Sequence, residues 1–546
     1  MQLSHCTRIA LLFLVCLNIQ ASAQDRLPED YLSADFHKGR RDAARALMPA
    51  NSVMVVFAAP TRTFSNDVEY NYHQNPDLYY FSGYKEPNAV LLIFKEMQKA
   101  GDGSYYNEIF FVQKKDKQAE HWDGRRLGVE GVKKKLGFSQ VMEGGQFHSF
   151  AINFASFDRI IVDHLPEDVR PSDDAGNLYQ LLAAFRKKSA MPAANHKVEN
   201  IERVARNYMN KENREQMQAF VRKEIGDEQE YLQHPVIKTI LSLKTEEDIR
   251  VFKQAGNSQK FSTRDFDAIT ASLREIKTPE ELVLIRKAVE ISCRGQNEVM
   301  KAVHPGMSEL EIQGLHEYVH KRYGAEGIGY GSIIGAGENG CILHYTENTK
   351  TQVGNDLILM DVGAEYHGYT ADVTRTIPAD GKFSPEERAI YQLVYDAQEA
   401  AFKTLKNGST WAAAGNAAKE VIAAGLQKLG IIKEKDEVGN YYTHGLGHHI
   451  GLDVHDKGRY DTLKKDMVIT IEPGIYIPAN SNCDKKWWSI SVRIEDDALI
   501  TRDGYELLSV FAPRKIEEIE KLIAEHSILD QYKLPALKSA EKKKDF

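Results

Sequence analysis

Leu357-Ile358-Leu359-Met360-Asp361-Val362-Gly363 and, after a short polar gap, Tyr369-Thr370-Ala371-Asp372-Val373-Thr374-Arg375 are the stretch from which the fold is read. Each is an apolar, β-branched run interrupted by a single carboxylate, and such runs read as strands. Glu365-Tyr366-His367-Gly368 between them reads as a turn. A hairpin centred between Tyr366 and His367 sets Asp361 directly opposite Asp372. Directly opposed β-carbons lie roughly 5 Å apart. Two carboxylates that close repel, and burial worsens it. They share a proton, face water or hold a cation that removes the repulsion. On this hairpin alone, a pair of solvated aspartates beside a turn remains open.

The same logic recurs downstream. Met467-Val468-Ile469-Thr470-Ile471-Glu472-Pro473-Gly474 reads as a strand ending in a carboxylate and a turn, and Ile490 to Asp497 as a strand with Glu495 inside it. Glutamate is disfavoured within an apolar strand unless it has a partner or faces water. Strand alternation puts Arg493 on the face of Glu495. Between the two carboxylate pairs, His444-Gly445-Leu446-Gly447-His448-His449-Ile450-Gly451-Leu452-Asp453-Val454-His455 gathers four histidines among three glycines. The glycines argue against a helical H-E-x-x-H zinc site, which the chain lacks, and suit backbone packed close to a ligand or another strand. Four carboxylates balance two divalent cations, and one neutral imidazole completes the set. Oxygen-rich ligation without thiolate favours Mn²⁺ or a similar first-row ion, in a pair about 3.5–4 Å apart that makes bound water a nucleophile.

Outward from this region, helices expected over Pro279–Lys301, Ser308–Tyr323, Pro385–Leu405 and Ala412–Leu429 alternate with strand pairs, an α+β pattern. Upstream, residues 36–200 alternate strands (Ser52–Ala58, Ala89–Phe94, Ile109–Val112) with helical runs such as Leu181–Lys188, an α/β pattern with a mixed sheet. A polar helical region spans Val198–Leu273. Two similar helix starts mark the junction: Thr245 and Thr278 are N-caps, with Asp248 and Glu281 three residues on to return the bond, and Pro279 at the first helical position. A chain of 546 residues exceeds one hydrophobic core. Its net charge of −8 and lack of a basic stripe argue against nucleic acid as partner.

Residues 1–23 read as a secretory signal: Arg8, the apolar stretch Ile9–Ile19, then Ala21-Ser22-Ala23 before Gln24. Val15 before Cys16 argues against lipidation. The mature chain is expected to be secreted or periplasmic, with no further membrane-crossing run. Cys293, Cys341 and Cys483 would remain, too few for a disulfide framework. The tail, residues 521–546, ends in a Lys-rich stretch expected to be solvated.

With these residues in view, the chain resembles the pita-bread metallopeptidases, most closely the Xaa-Pro aminopeptidase (aminopeptidase P) family. Gly335-Ala336-Gly337-Glu338-Asn339-Gly340, His344-Tyr345-Thr346-Glu347-Asn348 and, in the N-terminal domain, the segment Tyr70 to Gly83 match its pattern. The resemblance implies residues 24–270 as a smaller, creatinase-like α/β domain with a helical extension, and residues 271–520 as the pita-bread catalytic domain. It implies five ligands, Asp361, Asp372, His448, Glu472 and Glu495, around two divalent ions bridged by a hydroxide. Asp372 and Glu495 would bridge; Asp361 would complete one shell, and His448 and Glu472 the other. Glu472 would also act as base, His455 would bind the scissile carbonyl oxygen, His344 and His444 would line the proline pocket, and Arg493 would support the carboxylates. The substrates implied are peptides with proline second, and the assembly a homo-oligomer, dimer or tetramer.

Three departures stand out. His449 adjoins His448, so that ligand rests on motif register; residues 195–270 are longer than in compact members; and the secretion signal is an addition. Prolidase, acting on Xaa-Pro dipeptides, is the competing enzyme, against which the segment Asn71–Gly83 speaks. A pita-bread domain that has lost its metal and serves only to bind would lack several ligands, whereas all five are present here.

Overall fold

The computed structural model describes residues 30–192, 195–255 and 260–527. The expected signal peptide and most of the 521–546 tail lie outside the described residues. The chain forms two compact units, Ser33–Leu273 and the remainder.

The first unit is built on a mixed six-stranded sheet in the order β4-β3-β2-β1-β5-β6, with β1 Ser52–Phe57, β2 Val90–Lys99, β3 Tyr105–Val112, β4 Val141–Glu143, β5 Arg159–Val162 and β6 Phe261–Ser262. β1 runs antiparallel to β2 and parallel to β5. All six residues of β1 are buried, so it reads as a continuous apolar run rather than an alternating one. Val53, Val55 and Phe57 of β1 share a core with Leu181, Leu182 and Phe185 of the helix Leu178–Ser189. The helical region has a separate core, in which Val198, Ile201, Val221, Ile237, Ile240 and Phe252 meet. Thr245 caps as expected: its Oγ accepts from Asp248 N at 3.0 Å, and Asp248 returns to Thr245 N at 2.8 Å.

The second unit carries α1 Pro279–Ala302, α2 Glu309–Arg322, α3 Pro385–Phe402, α4 Trp411–Lys428 and α5 Ile516–Ile523. Thr278, Ser308 and Ser384 each close a capping box at the start of α1, α2 and α3, a device worth about 1 kcal/mol per cap. Its strands are short: β7 Gly327–Ile328, β8 Ile333–Ala336, β9 Leu357–Val362, β10 Ala364–Tyr366, β11 Tyr369–Thr370, β12 Val373–Pro378, β13 Val468–Ile471, β14 Gly474–Ile477, β15 Ile490–Arg493, β16 Asp496–Ile500 and β17 Tyr505–Leu507. Helices and strands close over one core that includes Ile358, Met360, Ile390, Val394, Ile422, Ile469, Ile471 and Val492. α5 runs through residue 520, with Ile516 and Ile519 buried in that core, so the fold continues past the expected boundary. Asp30 and Tyr31 also belong to this unit rather than to the first: Tyr31 stacks on His367 at 3.7 Å, and Asp30 accepts from Tyr366 Oη at 2.6 Å. Among the described residues, no helix is long and apolar enough to cross a membrane.

The carboxylate-bearing hairpin differs from expectation by one residue. Tyr366 pairs with Tyr369 and Asp361 with Thr374, so the turn is centred between His367 and Gly368. Both turn residues have positive φ, 52° and 87°, as the right-handed twist of a two-residue hairpin demands. Asp372 therefore stands diagonally across from Asp361 instead of opposite it. The hairpin is also broken into two ladders, β9 with β12 and β10 with β11. Gly363 lies at the break, where a β-carbon would sit 1.9 Å from the carbonyl oxygen of Ala371. The second pair breaks likewise: Glu472 falls between β13 and β14, and Glu495 between β15 and β16 rather than inside a strand.

Candidate metal centre

Three of the four carboxylates, Asp372, Glu472 and Glu495, occupy strand interruptions, and Asp361 lies near the end of β9. An interruption frees a side chain from strict alternation and turns it toward a common point. That point is a cavity of about 570 Å³ lined by Asp361, Asp372, Glu472, Glu495, His344, His444, His448, His455 and Arg493, with Tyr330, Ile333, Leu343, Val454 and Tyr460 among its walls. The structure thus brings together every site residue expected from the sequence.

The histidine loop reaches the cavity by lying along β13. Thr470 N donates to the His448 carbonyl at 2.9 Å, and Glu472 N to the Leu446 carbonyl at 2.8 Å. Gly447 permits this approach, since a β-carbon there would lie 2.0 Å from the Thr470 carbonyl oxygen. His448 and His449 then separate. His448 Nε2 stands 3.4 Å from Asp372 Oδ2, 3.4 Å from Glu472 Oε1 and 4.0 Å from Glu495 Oε1. His449 turns away, between Trp411 and Tyr460, with Nε2 bonded to the Arg459 carbonyl at 3.0 Å. Ligand atoms of Asp372, His448 and Glu495 all fall within 4.8 Å of one another.

Electrostatics mark the cluster as built for added positive charge. Burial and the neighbouring Asp361 raise the Asp372 carboxyl above its ordinary value. Burial, then Asp372 and Glu472, push Glu495 well up. Glu472 is pushed up by burial, against the pull of His448, to about 7. Burial works against the His448 imidazolium, yet Asp372 holds its pKa up to about 9. Asp361 alone is depressed, because Arg493, whose Nη2 lies 2.5 Å from its Oδ2, outweighs burial. Glu495 Oε1 is buried with no hydrogen-bond partner among the described residues, a position that a cation satisfies. An oxygen-rich donor set with one imidazole and an orphaned carboxylate oxygen fits divalent metal ions.

The remaining histidines are arranged for other tasks. His444 Nδ1 donates to the Gly445 carbonyl at 2.8 Å, so its Nε2 accepts from Tyr476 Oη at 2.8 Å. Tyr476 Oη in turn accepts from Arg493 Nη1 at 2.9 Å. Burial and Arg493 lower the His444 pKa to about 4, in keeping with this neutral tautomer. His455 packs edge-on to His448, ring centroids 4.2 Å apart. Burial, with His448 adding to it, lowers the His455 pKa. The loop beyond His455 is anchored by Asp456, whose carboxylate accepts from Arg274 and, at 2.7 Å, from Lys277.

Sequence reading missed three groups. Tyr330 Oη bonds Asp361 Oδ1 and Asp372 Oδ1, each at 2.5 Å. Tyr476 links His444 to Arg493. Asp497, fully buried, accepts from Asp372 N at 3.1 Å. The tyrosines sit alone in glycine-flanked or apolar stretches and carry no periodic signal. Asp497 had one: a third consecutive acidic residue after Glu495 and Asp496, directly before the apolar Ala498-Leu499-Ile500.

Two family models match the chain, the aminopeptidase P N-terminal domain over residues 37–159 and metallopeptidase family M24 over residues 283–502. The chain is 32% identical to an Escherichia coli Xaa-Pro aminopeptidase, over 90% of this chain and 98% of the relative. It is 30% identical to one from Haemophilus influenzae, over 89% and 96%. The solved structure of E. coli aminopeptidase P with the inhibitor Pro-Leu is similar at a TM-score of 0.69 and 29% identity, covering 90% of this chain and 98% of that one. Such likeness along nearly the whole length of a relative leaves one conclusion: the chain belongs to metallopeptidase family M24, among its Xaa-Pro aminopeptidases.

Proposed function

We propose that the protein hydrolyses the bond between an N-terminal residue and a following proline, using two divalent metal ions held by Asp361, Asp372, His448, Glu472 and Glu495. The observation that carries this reading is the convergence of Asp372, His448 and Glu495 on one point beside the orphaned oxygen of Glu495. Mn²⁺ is the favoured ion for this oxygen-rich set. When bound, the ions supply Lewis acidity, polarising the scissile carbonyl and acidifying water.

The chain's own residues do the rest. Asp361, Asp372, His448, Glu472 and Glu495, which line one cavity, would together hold the ions. Glu472, half-buried with Oε1 3.4 Å from His448 Nε2, accepts the proton of the attacking water. His455, in the lining of the same cavity, would stabilise the developing oxyanion. His344 and His444, with Ile333, Leu343 and Val454, wall the space for the prolyl ring. Arg493 holds Asp361 in place and is itself held by Tyr476. The likeness to the Xaa-Pro aminopeptidases of E. coli and H. influenzae supports proline at the second position. Prolidase activity is not favoured, since the N-terminal domain matches that of aminopeptidase P.

We also propose export of the mature chain, to the periplasm or beyond, with Gln24 as its first residue, and assembly as a homo-oligomer. Intact-mass measurement of exported protein and light scattering test these two points. The activity is tested by offering an Xaa-Pro dipeptide and an Xaa-Pro-Yaa tripeptide with Mn²⁺. Cleavage of the tripeptide is expected; cleavage of the dipeptide alone overturns the reading.

A further inference from the structure

Two buried glutamines, one on α1 and one on α3, grip the backbone beside the carboxylates in the same manner. Gln296 Nε2 donates to the carbonyls of Met360 and Val373, at 3.0 and 2.8 Å. Those residues directly precede Asp361 and directly follow Asp372. Gln398 Nε2 donates to the carbonyls of Ile471 and Ile494, at 2.9 and 3.0 Å. Those directly precede Glu472 and Glu495. Both side chains are fully buried.

Three of the carbonyls they bond belong to backbone already set by strand pairing, Met360 with Arg375, Val373 with Val362 and Ile471 with Asp496, and a carbonyl's second lone pair can accept from a side chain as well. One amide with two N–H bonds spans two strands at once. It therefore fixes the distance between the peptide leading into one carboxylate and the backbone beside its pair. Gln398 is itself held: its Oε1 accepts from Arg514 at 2.8 Å, and its Nε2 also reaches Asp496 Oδ2 at 2.8 Å. Gln296 Oε1 has no partner among the described residues, so its hold on the first pair rests on the two N–H bonds.

We propose that Gln296 and Gln398 are positioning residues for the metal site, each setting the spacing of one carboxylate pair through the main chain. This inference rests on the metal-site reading above. It predicts that losing either amide weakens metal binding without removing a ligand.

The test is Mn²⁺ binding by the full-length chain, measured by competition with a chelating dye, for wild type, Gln296→Met and Gln398→Met. Methionine keeps the length of the side chain and loses both donors. Gln218→Met is the control, because Gln218 Nε2 likewise bonds three carbonyls, of Ile240, Leu241 and Leu243, in the other unit. The expected result is a loss of Mn²⁺ affinity of about 10- to 100-fold for the first two variants and none for the control. Visible absorption of the Co²⁺-loaded proteins should change in the same two variants. Should a methionine variant not fold, Gln296→Asn and Gln398→Asn keep the amide but draw it back by one methylene, and are expected to weaken binding in the same direction. Folded variants at either site that bind Mn²⁺ as wild type does overturn the inference, as does an equal loss in Gln218→Met. Failure of wild type itself to bind would instead overturn the metal-site reading.

Discussion

Asp456→Asn should destabilise the second unit far more than the chemically identical change at Asp453. Asp456 is buried, with its side chain 1% exposed, and its two oxygens meet Arg274 and Lys277, whose side chains are equally buried. The pair of cations more than reverses the upward push of burial, so the folded carboxyl lies below its ordinary value. Removing one partner of a buried ion pair costs ~3–5 kcal/mol. Arg274 retains Asp453 at 2.6 Å, and Lys277 retains the Arg274 carbonyl at 2.5 Å. The lower end, about 3 kcal/mol, is therefore expected, roughly a 100-fold shift in the unfolding equilibrium. The Asp453 side chain is 43% exposed, so its loss should cost at most about 1 kcal/mol. Urea unfolding followed by circular dichroism at pH 7 measures both. A depressed carboxyl stabilises above its unfolded pKa and loses that contribution as pH falls through the folded value. The gap between wild type and Asp456→Asn should therefore close in acid. An Asp456→Asn cost below 1 kcal/mol, or equal costs at the two positions, would refute the reasoning.

Asp372→Ala should lose bound metal and activity together, by more than about 100-fold; full peptidase activity in this variant would contradict the site. Tyr330→Phe removes the hydroxyl shared by Asp361 and Asp372 and should lower kcat/KM on an Xaa-Pro-Yaa tripeptide by about tenfold, hydrogen bonds to charged groups being worth ~1.5–3 kcal/mol. In metal-free protein, Glu472 is raised to about 7 and His448 to about 9. Both protons are held more tightly folded than unfolded, so stability from these groups falls as pH rises through those values. Divalent ions compete with the same protons, so the metal-induced rise in Tm should be small at pH 5 and grow through pH 8. A rise that shrinks with pH would refute this assignment.

Much of the site was legible because a carboxylate in an apolar, β-branched run is costly unless partnered, and Asp361, Asp372, Glu472 and Glu495 each interrupt such a run of sequence. The midpoint of Glu365-Tyr366-His367-Gly368 puts the hairpin register one residue off, whereas Gly368 following His367 carries the positive-φ signal of a two-residue turn. The strand breaks at Gly363, Glu472 and Glu495 were not legible, since they come from packing against other segments, as the Ala371 carbonyl against Gly363 illustrates. Adjacent His448 and His449 could be told apart only by family pattern until the fold placed one among the carboxylates and the other against Trp411. Tyr330 and Tyr476 look like core aromatics in sequence, and only the hydroxyl contacts assign them to the site. Gln296 and Gln398 are ordinary helix residues until the carbonyls they bond are known.

The central claim is that two metal ions on these five side chains make the peptidase. Mn²⁺ titration into chelator-treated protein, with bound metal counted after gel filtration and tripeptide hydrolysis measured on the same samples, tests it most directly. Activity should rise from near zero and level off at two ions per chain. Undiminished hydrolysis by the metal-free protein would contradict it.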